Sequence, residues 1–291
     1  MRIYILLIPS VLLSFIYACS LNQAQPADQD SPGVEGTLLI IGGGRLDPVF
    51  FETFLAHAGG PGADIVVIPT AMGDEQIARD SAFSRVRALF QEYGFGKITI
   101  LHTRDPQEAD TKEFAKPLKT AGGVWFVGGR QWRLADSYLN NRTHEALNKL
   151  LKRGGVIAGT SAGATIQGSY LARGDTKTNT IMMGDHEEGL GFFPNVAIDQ
   201  HLLARNRQFD LFEILDVHPE LLGIGLDENT GILVQEDHFK VLGASHVAIY
   251  DGTRWSRDRD TIYQLPSGSR EFYFLHQGQQ YNWKLRTVVQ K

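Results

Sequence analysis

The chain has one cysteine among its 291 residues, Cys19, so no disulfide within it can brace the fold. It has no basic excess: 28 Lys and Arg against 33 Asp and Glu give a net charge of -5, with no footprint for nucleic acid. It also lacks an apolar run of spanning length, because the stretch from Ile3 to Ala18 is interrupted by Pro9 and two serines. A crossing helix needs about 20 apolar residues. No H-E-x-x-H or similar spacing marks a metal site; His186, in the charged loop MMGDHEEGL, has no such partner pattern. What remains is an ordinary globular composition, 43% hydrophobic and 21% charged, long enough for one large domain with a sizeable core.

Arg2 and the short apolar stretch behind it read as the charged and hydrophobic regions of an export signal. Ile16-Tyr17-Ala18-Cys19 resembles a bacterial lipobox, so residues 1–19 are expected to be a signal peptide and Cys19 the lipidated residue. The alternatives are a plain signal peptide cut near Ala18, or a signal anchor. The expectation is an exported protein tied to a membrane by its N-terminal lipid, on the periplasmic or cell-surface side. Residues 20–36 are polar and Pro-containing and read as a flexible tether, with the fold starting at Thr37.

From there apolar runs alternate with helical patterns. TLLIIGGG, DIVVIPTA, KITILHT, GGVWFVGG and GGVIAGT read as strands, four of them with continuous apolar stretches, as parallel strands covered on both faces require. Between them lie helix patterns: one opening at Pro48, one that Asp74 can cap, a short one near 106–119, and one from Gln131 to Lys152. The spacing predicts an α/β fold, a mostly parallel sheet with helices on both faces. Further on, NVAIDQ reads as a strand leading into a helix, HLLARNRQFDLFEIL. LGIGLDE and TGILVQE then read as paired strands. The tail reads as β-hairpins turning at Asp251-Gly252 and at Pro266-Ser267-Gly268.

Gly159-Thr-Ser-Ala-Gly163 matches G-x-S-x-G with a strand before it and a helix after it. Small residues flank such a serine because the chain must turn sharply around it. The pentapeptide alone leaves three readings: a nucleophile, a small-residue turn, or a phosphate-cradling loop. A nucleophilic serine needs a base. Among the nine histidines His201 stands out, at the end of NVAID and beside Arg205 and Arg207. Fixed guanidinium groups beside a base suit a substrate carboxylate, against the plainer reading of two solvated arginines. The acid that orients the histidine is expected to be Glu228, ending LGIGL, with Asp227 and Asp199 as competitors. Strand alternation sends Asp227 and Glu228 to opposite faces. The chain order Ser, His, acid differs from the Ser, acid, His of α/β-hydrolases.

With GGG at 42–44, FVGGRQ at 126–131, GTSAGA at 159–164, GLGFFPNVAIDQH at 189–201 and GIGLDENT at 223–230, the chain resembles the cyanophycinase and dipeptidase E family of serine peptidases. The resemblance implies a flavodoxin-like sandwich related to class I glutamine amidotransferases, with a β-rich C-terminal extension over about 256–291 of a domain spanning 37–291. It implies Ser161 as nucleophile, His201 as base, Glu228 as orienting acid, and Gly129 and Ala162 as oxyanion-hole amides. Gln131, Asp199, Gln200, Arg205, Arg207 and Asn229 fall where that family lines its substrate pocket. No cofactor is implied. The expected partner is a peptide with a β-aspartyl linkage or a free carboxylate, and a homodimer is compatible with the resemblance. The implied activity is release of β-Asp-Arg dipeptides; the alternatives are an α-aspartyl dipeptidase, another small-peptide hydrolase, or a surface binding protein with a decayed site. Arg45, Arg130 and Asp210 depart from the family's pattern at positions that bear on specificity.

Overall fold

The computed structural model describes residues 33–79, 81–252, 256–257, 263–264 and 272–289. The signal and lipobox over 1–19, with Cys19, most of the tether, and the Pro266-Ser267-Gly268 turn lie outside the described residues. The first strand, β1 (Val34–Ile41), starts three residues before Thr37, with Val34 already buried.

The expected α/β alternation is present. After β1 come α1 (Pro48–His57), β2 (Ile65–Ile68), α2 (Asp74–Ile77), α3 (Ser81–Glu92) and β3 (Ile98–Ile100). Then follow α4 (Pro106–Ala109), α5 (Lys112–Ala115), a 3-10 turn, β4 (Gly123–Phe126), α6 (Trp132–Tyr138), α7 (Arg142–Lys152) and β5 (Val156–Thr160). A short α8 (Ala162–Thr165) leads to β6 (Gly168–Tyr170), β7 (Phe193–Gln200), α9 (Leu211–Val217), β8 (Leu222–Leu226), β9 (Thr230–Glu236), β10 (His238–Gly243) and β11 (His246–Asp251). The tail is β-rich as expected: β12 (Ser256–Arg257), β13 (Tyr263–Gln264), β14 (Phe272–His276), β15 (Gln280–Asn282) and β16 (Thr287–Val289).

These strands form two main sheets rather than one. The larger runs β16-β15-β10-β9-β1-β5-β4-β2-β3. Its β1, β5, β4, β2 and β3 are parallel, and β9 joins β1 antiparallel. Alternation along the parallel strands divides the core. Leu39, Ile41, Val67, Trp125 and Ala158 face α1 and α3, where Phe51 stacks on Trp125 at 5.3 Å. Leu38, Ile40, Val66, Phe126 and Ile157 face the other way, against α6, α7 and the second sheet's Val196, Ile198, Ile224 and Leu226. That second sheet runs β14-β11-β8-β7-β6, and α9 packs its outer face through Leu211, Ile214 and Leu215.

Four local expectations are corrected. LGIGL and TGILVQE do not pair: β8 joins β7 in the second sheet and β9 joins β1 in the first. The chain crosses between sheets at Asp227–Asn229, and Asn229 turns it with φ +51. The helix expected over 201–215 is confined to α9, because His201 and Asn206 take φ of +55 and +56 and break it. The helix expected over 131–152 divides at Asn140 (φ 56), and Asn141 caps α7 by accepting the Thr143 N–H at 3.0 Å. Asp74 does not cap; Gly73 holds the N-cap position, while Asp74 pairs with Arg104 at 2.8 Å.

Candidate active site

The carboxyl end of β1 acts as a ruler. Its consecutive carbonyls at Ile41, Gly42 and Gly43 accept the amides of Ser161, His201 and Asn229 at 3.0, 3.2 and 2.8 Å. Three distant segments are thereby brought to one strand end, where open α/β sheets build their sites.

Ser161 stands at the turn between β5 and α8 with φ 55 and ψ -115, a strained conformation for a residue with a side chain. The flanking glycines are required sterically. A Cβ on Gly159 would fall 2.0 Å from the Gly163 carbonyl oxygen, and one on Gly163 would fall 2.4 Å from that of Phe126. The strain presents Oγ to the His201 ring: Ser161 Oγ lies 2.9 Å from Nε2, and His201 Nδ1 lies 2.6 Å from Glu228 Oε1. The chemistry of the pair assigns the protons. Nδ1–H donates to the Glu228 carboxylate, leaving Nε2 to accept from the serine hydroxyl.

Gly43 and Gly44 hold this relay in register. A Cβ on Gly43 (φ +115) would stand 2.4 Å from His201 Cε1, and one on Gly44 (φ +75) would stand 2.7 Å from Glu228 Oε2. Gly43→Ala is therefore expected to push the ring away from Ser161. A displacement of about 1 Å costs on the order of 100-fold in rate. The check is kcat/KM beside a circular dichroism spectrum that stays wild-type; undiminished turnover would refute the steric argument.

His201 must be neutral to take a proton. Burial lowers its pKa below the ordinary 6.5; the Glu228 hydrogen bond raises it in part, and the charge of Arg205 lowers it. The acid limb of kcat/KM is thus expected below pH 6.5, with activity rising as pH climbs through it. Arg205→Gln removes a lowering influence and should move that limb to higher pH. A limb that stays in place or moves down in the variant's pH profile would contradict this account.

The structure separates the three acids. Glu228 alone reaches the ring. Asp227 faces away, accepting the Leu203 and Ala204 amides at 2.9 and 3.0 Å and the Ser245 hydroxyl at 2.6 Å, so it pins the turn that follows His201. Asp199 is fully buried, bound by Arg173 Nε at 3.2 Å and facing Arg207 Nη1 at 3.7 Å, with burial pushing its pKa up.

The remaining expected residues divide. Gln131 is buried and donates its side-chain amide to the carbonyls of Ala172 and Arg173 at 2.7 and 3.0 Å. Arg207 is also buried, donating to the Gln200 carbonyl at 3.1 Å and to its Oε1 at 3.3 Å, so it forms wall rather than a free cation. Arg205 is exposed. Arg205 and Arg207 lie on turns rather than on the helix expected from His201, because His201 and Asn206 take positive φ. The Asn229 side chain is taken up by Asp47, accepting its amide at 2.9 Å and donating to its carboxylate at 2.8 Å. Arg173 is the residue sequence reasoning missed. It lies buried between Asp199 and Asp210, and its Nη1 donates to the Asn179 carbonyl at 2.8 Å. Nothing in a polar loop announces such partners.

Gly129 (φ +148) presses onto the turn after β2, where a Cβ would meet the Ala71 carbonyl oxygen at 2.0 Å. Its N–H, and that of Ala162 at the start of α8, donate to no backbone carbonyl among the described residues. Two free amides beside a hydroxyl, an imidazole and a carboxylate in relay can stabilise an oxyanion while the hydroxyl attacks a carbonyl.

A doubly layered α/β fold with a serine at a strained elbow, relayed to a histidine and a glutamate, defines the class of serine hydrolases. The model of peptidase family S51 matches residues 38–242. The chain belongs to peptidase family S51 and is a serine-type peptidase. It is 29% identical over 284 residues to the cyanophycinase of Trichormus variabilis, covering 92% of each chain. To the cyanophycinase of Geminocystis herdmanii it is 32% identical over 231 residues, covering 77% of this chain and 83% of that one. Among solved structures, a peptidase from an acI-B1 Actinobacterium superposes with a TM-score of 0.60 at 23% identity, covering 85% of this chain and 97% of that one.

Proposed function

We propose that the protein is an exported serine exopeptidase that hydrolyses cyanophycin-like or β-aspartyl peptides, releasing dipeptides of the β-Asp-Arg type. The observation that carries this reading is the Ser161–His201–Glu228 relay at 2.9 and 2.6 Å. The cyanophycinases that match over most of the chain support the substrate class.

In the mechanism, Ser161 Oγ attacks the scissile carbonyl carbon as its proton passes to His201 Nε2. The carbonyl oxygen takes the negative charge and is met by the Gly129 and Ala162 amides. The imidazolium, held by Glu228, gives its proton to the leaving nitrogen, and the C–N bond breaks to leave an ester on Ser161. Water, deprotonated by the same histidine, then attacks the ester and frees the serine.

The test is to incubate the wild type and Ser161→Ala with cyanophycin, β-Asp-Arg oligomers and α-linked Asp-X dipeptides, and to follow products by mass spectrometry. Release of β-Asp-Arg by the wild type alone supports the reading. Cleavage of only the α-linked set replaces it with an α-aspartyl dipeptidase, and equal release by both proteins removes Ser161 from the mechanism. Export and anchoring at Cys19 are proposed from the apolar stretch and the lipobox-like IYAC before Ser20. Loss of palmitate labelling in Cys19→Ser is the expected result, and unlabelled wild-type protein would overturn the anchor.

A further inference from the structure

The loop that follows β4 is zipped to the turn that follows β2 by every third residue. The Val127 amide donates to the Ile68 carbonyl at 3.0 Å, and the Arg130 amide donates to the Ala71 carbonyl at 2.8 Å. Arg133 Nη1 then donates to the Met72 carbonyl at 2.6 Å and lies 3.4 Å from that of Ala71. Gly128 and Gly129 fall between the first two joints, so the free Gly129 N–H is bracketed by fixed backbone. Nothing in Gly129 itself sets its direction, because a residue without a side chain turns easily. Its orientation comes from what it rests on, the Ala71 carbonyl, where a Cβ would fall 2.0 Å from the oxygen.

That carbonyl belongs to a short turn, closed by the Met72 amide on the Pro69 carbonyl at 2.9 Å. Side chains from two other places hold it. Arg104 Nη2, from after β3, joins Arg133 on the Met72 carbonyl at 2.7 Å, so both lone pairs of that oxygen take charged donors. Thr70 is buried in the same turn, with its hydroxyl 2.5 Å from Tyr138 Oη and 2.8 Å from His102 Nδ1. Helix α6 therefore grips the turn through Arg133 and Tyr138, and the segment after β3 grips it through His102 and Arg104.

The arrangement opposes stability. The Nε–H groups of Arg104 and Arg133 are buried without an acceptor among the described residues, and the one carboxylate paired with them there is Asp74, 2.8 Å from Arg104. Burial, followed by the charge of Arg104, lowers the Arg133 pKa, as crowded guanidinium groups require. A surface turn folds without such a pair. An amide that must meet a developing charge to within about 0.5 Å needs a support that cannot drift. We infer that Arg133 and Arg104 are positioning residues of the oxyanion hole: acting on the Met72 carbonyl, they fix the turn on which Gly129 rests and so hold its N–H where the scissile carbonyl oxygen becomes charged. They act through the turn and not on the substrate. The inference rests on the peptidase mechanism above and adds the residues on which its oxyanion hole depends.

A fluorophosphonate tests this without any peptide. Ser161 Oγ attacks its phosphorus as the serine proton passes to His201, fluoride leaves, and the phosphoryl oxygen occupies the oxyanion hole. Arg133→Met is expected to be labelled about 10- to 100-fold more slowly than the wild type, the scale of a displaced oxyanion donor. Arg104→Met should be slowed as well, and Arg133→Lys, which keeps a charged donor, should recover part of the loss. Arg153→Met is the structural control. Arg153 Nη2 also clamps two carbonyls, those of Leu118 and Ala121 at 2.7 and 2.6 Å, but at the amino end of β4. That variant should lose thermal stability as Arg133→Met does and keep the wild-type labelling rate. On a peptide that the wild type cleaves, Arg133→Met should lower kcat and kcat/KM by the same factor, with KM and the acid limb in place, because ground-state contacts and the relay are untouched. Equal labelling of wild type and Arg133→Met would overturn the inference, as would Arg153→Met slowed as much as Arg133→Met, or a loss that appears in KM alone. If Arg133→Met is labelled slowly but the wild type cleaves no β-aspartyl peptide, the substrate reading fails and the positioning role stands. A wild type that is not labelled at all would overturn the nucleophile and the positioning role together.

Discussion

Ser161→Ala is expected to lower kcat/KM by about 10,000-fold or more, the scale on which removing the nucleophile of a hydroxyl–imidazole–carboxylate relay acts. Among the described residues the Oγ atom makes one hydrogen bond, to His201 Nε2, so its loss removes chemistry and leaves the fold in place. His201→Ala should cost about as much. The double variant should cost little more than either, because residues that act as one unit do not add. Initial rates on one peptide substrate decide this, and a Ser161→Ala protein retaining even about a tenth of wild-type activity would remove the serine from the reaction. The backbone supplies a second readout. With φ 55 and ψ -115, Ser161 holds a conformation that glycine adopts without strain. Ser161→Gly should therefore be inactive yet melt higher than Ser161→Ala, by an amount set by about 1–3 kcal/mol of released strain. A glycine variant that melts no higher would mean that the elbow stores no strain.

The parts of this site that were legible in the sequence are those written in local pattern. The apolar runs before Gly42, Val127 and Thr160 are buried parallel strands, and each delivers a glycine-bounded loop to the same edge. Alternation along Leu222–Leu226 allows only one of Asp227 and Glu228 to face the site; in the structure Asp227 pins a backbone turn and Glu228 reaches the imidazole. What the sequence could not convey is set by distant partners. LGIGL and TGILVQE have the look of a hairpin, but β8 is claimed by β7 and β9 by the free side of β1, so the link between them becomes a crossing that carries Glu228 to the histidine. The helix expected from His201 onward gives way for a related reason. The His201 amide is committed to the Gly42 carbonyl at 3.2 Å, and a positive φ there aims the ring at Ser161 instead of along a helix. Arg207, expected beside a substrate carboxylate, is held in the wall by the buried Asp199 and Gln200. Arg173 carries no signal of its own, because burial of a guanidinium depends on carboxylates that reach it only after β6, β7 and α9 are packed together.

Glu228→Gln is expected to lower kcat/KM by about 1,000- to 10,000-fold without shifting the fold, although it exchanges one oxygen for one nitrogen. The reason lies in which imidazole nitrogen carries the proton. The carboxylate at 2.6 Å from Nδ1 can only accept, so it fixes the proton on Nδ1 and leaves Nε2 open to the serine. A glutamine in the same place can turn its NH2 toward Nδ1 and stabilise the opposite tautomer, with a hydrogen on Nε2 facing the Ser161 hydroxyl. Gly44 packs against this side chain, where a Cβ would meet Glu228 Oε2 at 2.7 Å and Cβ at 2.8 Å. No neighbouring acid can take over, since Asp227 is held by the amides of Leu203 and Ala204. The hydrogen bond to Glu228 also raises the His201 pKa against burial, so the residual activity of the variant should show its acid limb at lower pH than the wild type, opposite in direction to Arg205→Gln. Glu228→Asp keeps the charge but withdraws it by one methylene, so it should fall between the two in rate. Near-wild-type activity in Glu228→Gln, with an unmoved acid limb, would mean that the glutamate neither sets the tautomer nor tunes the base.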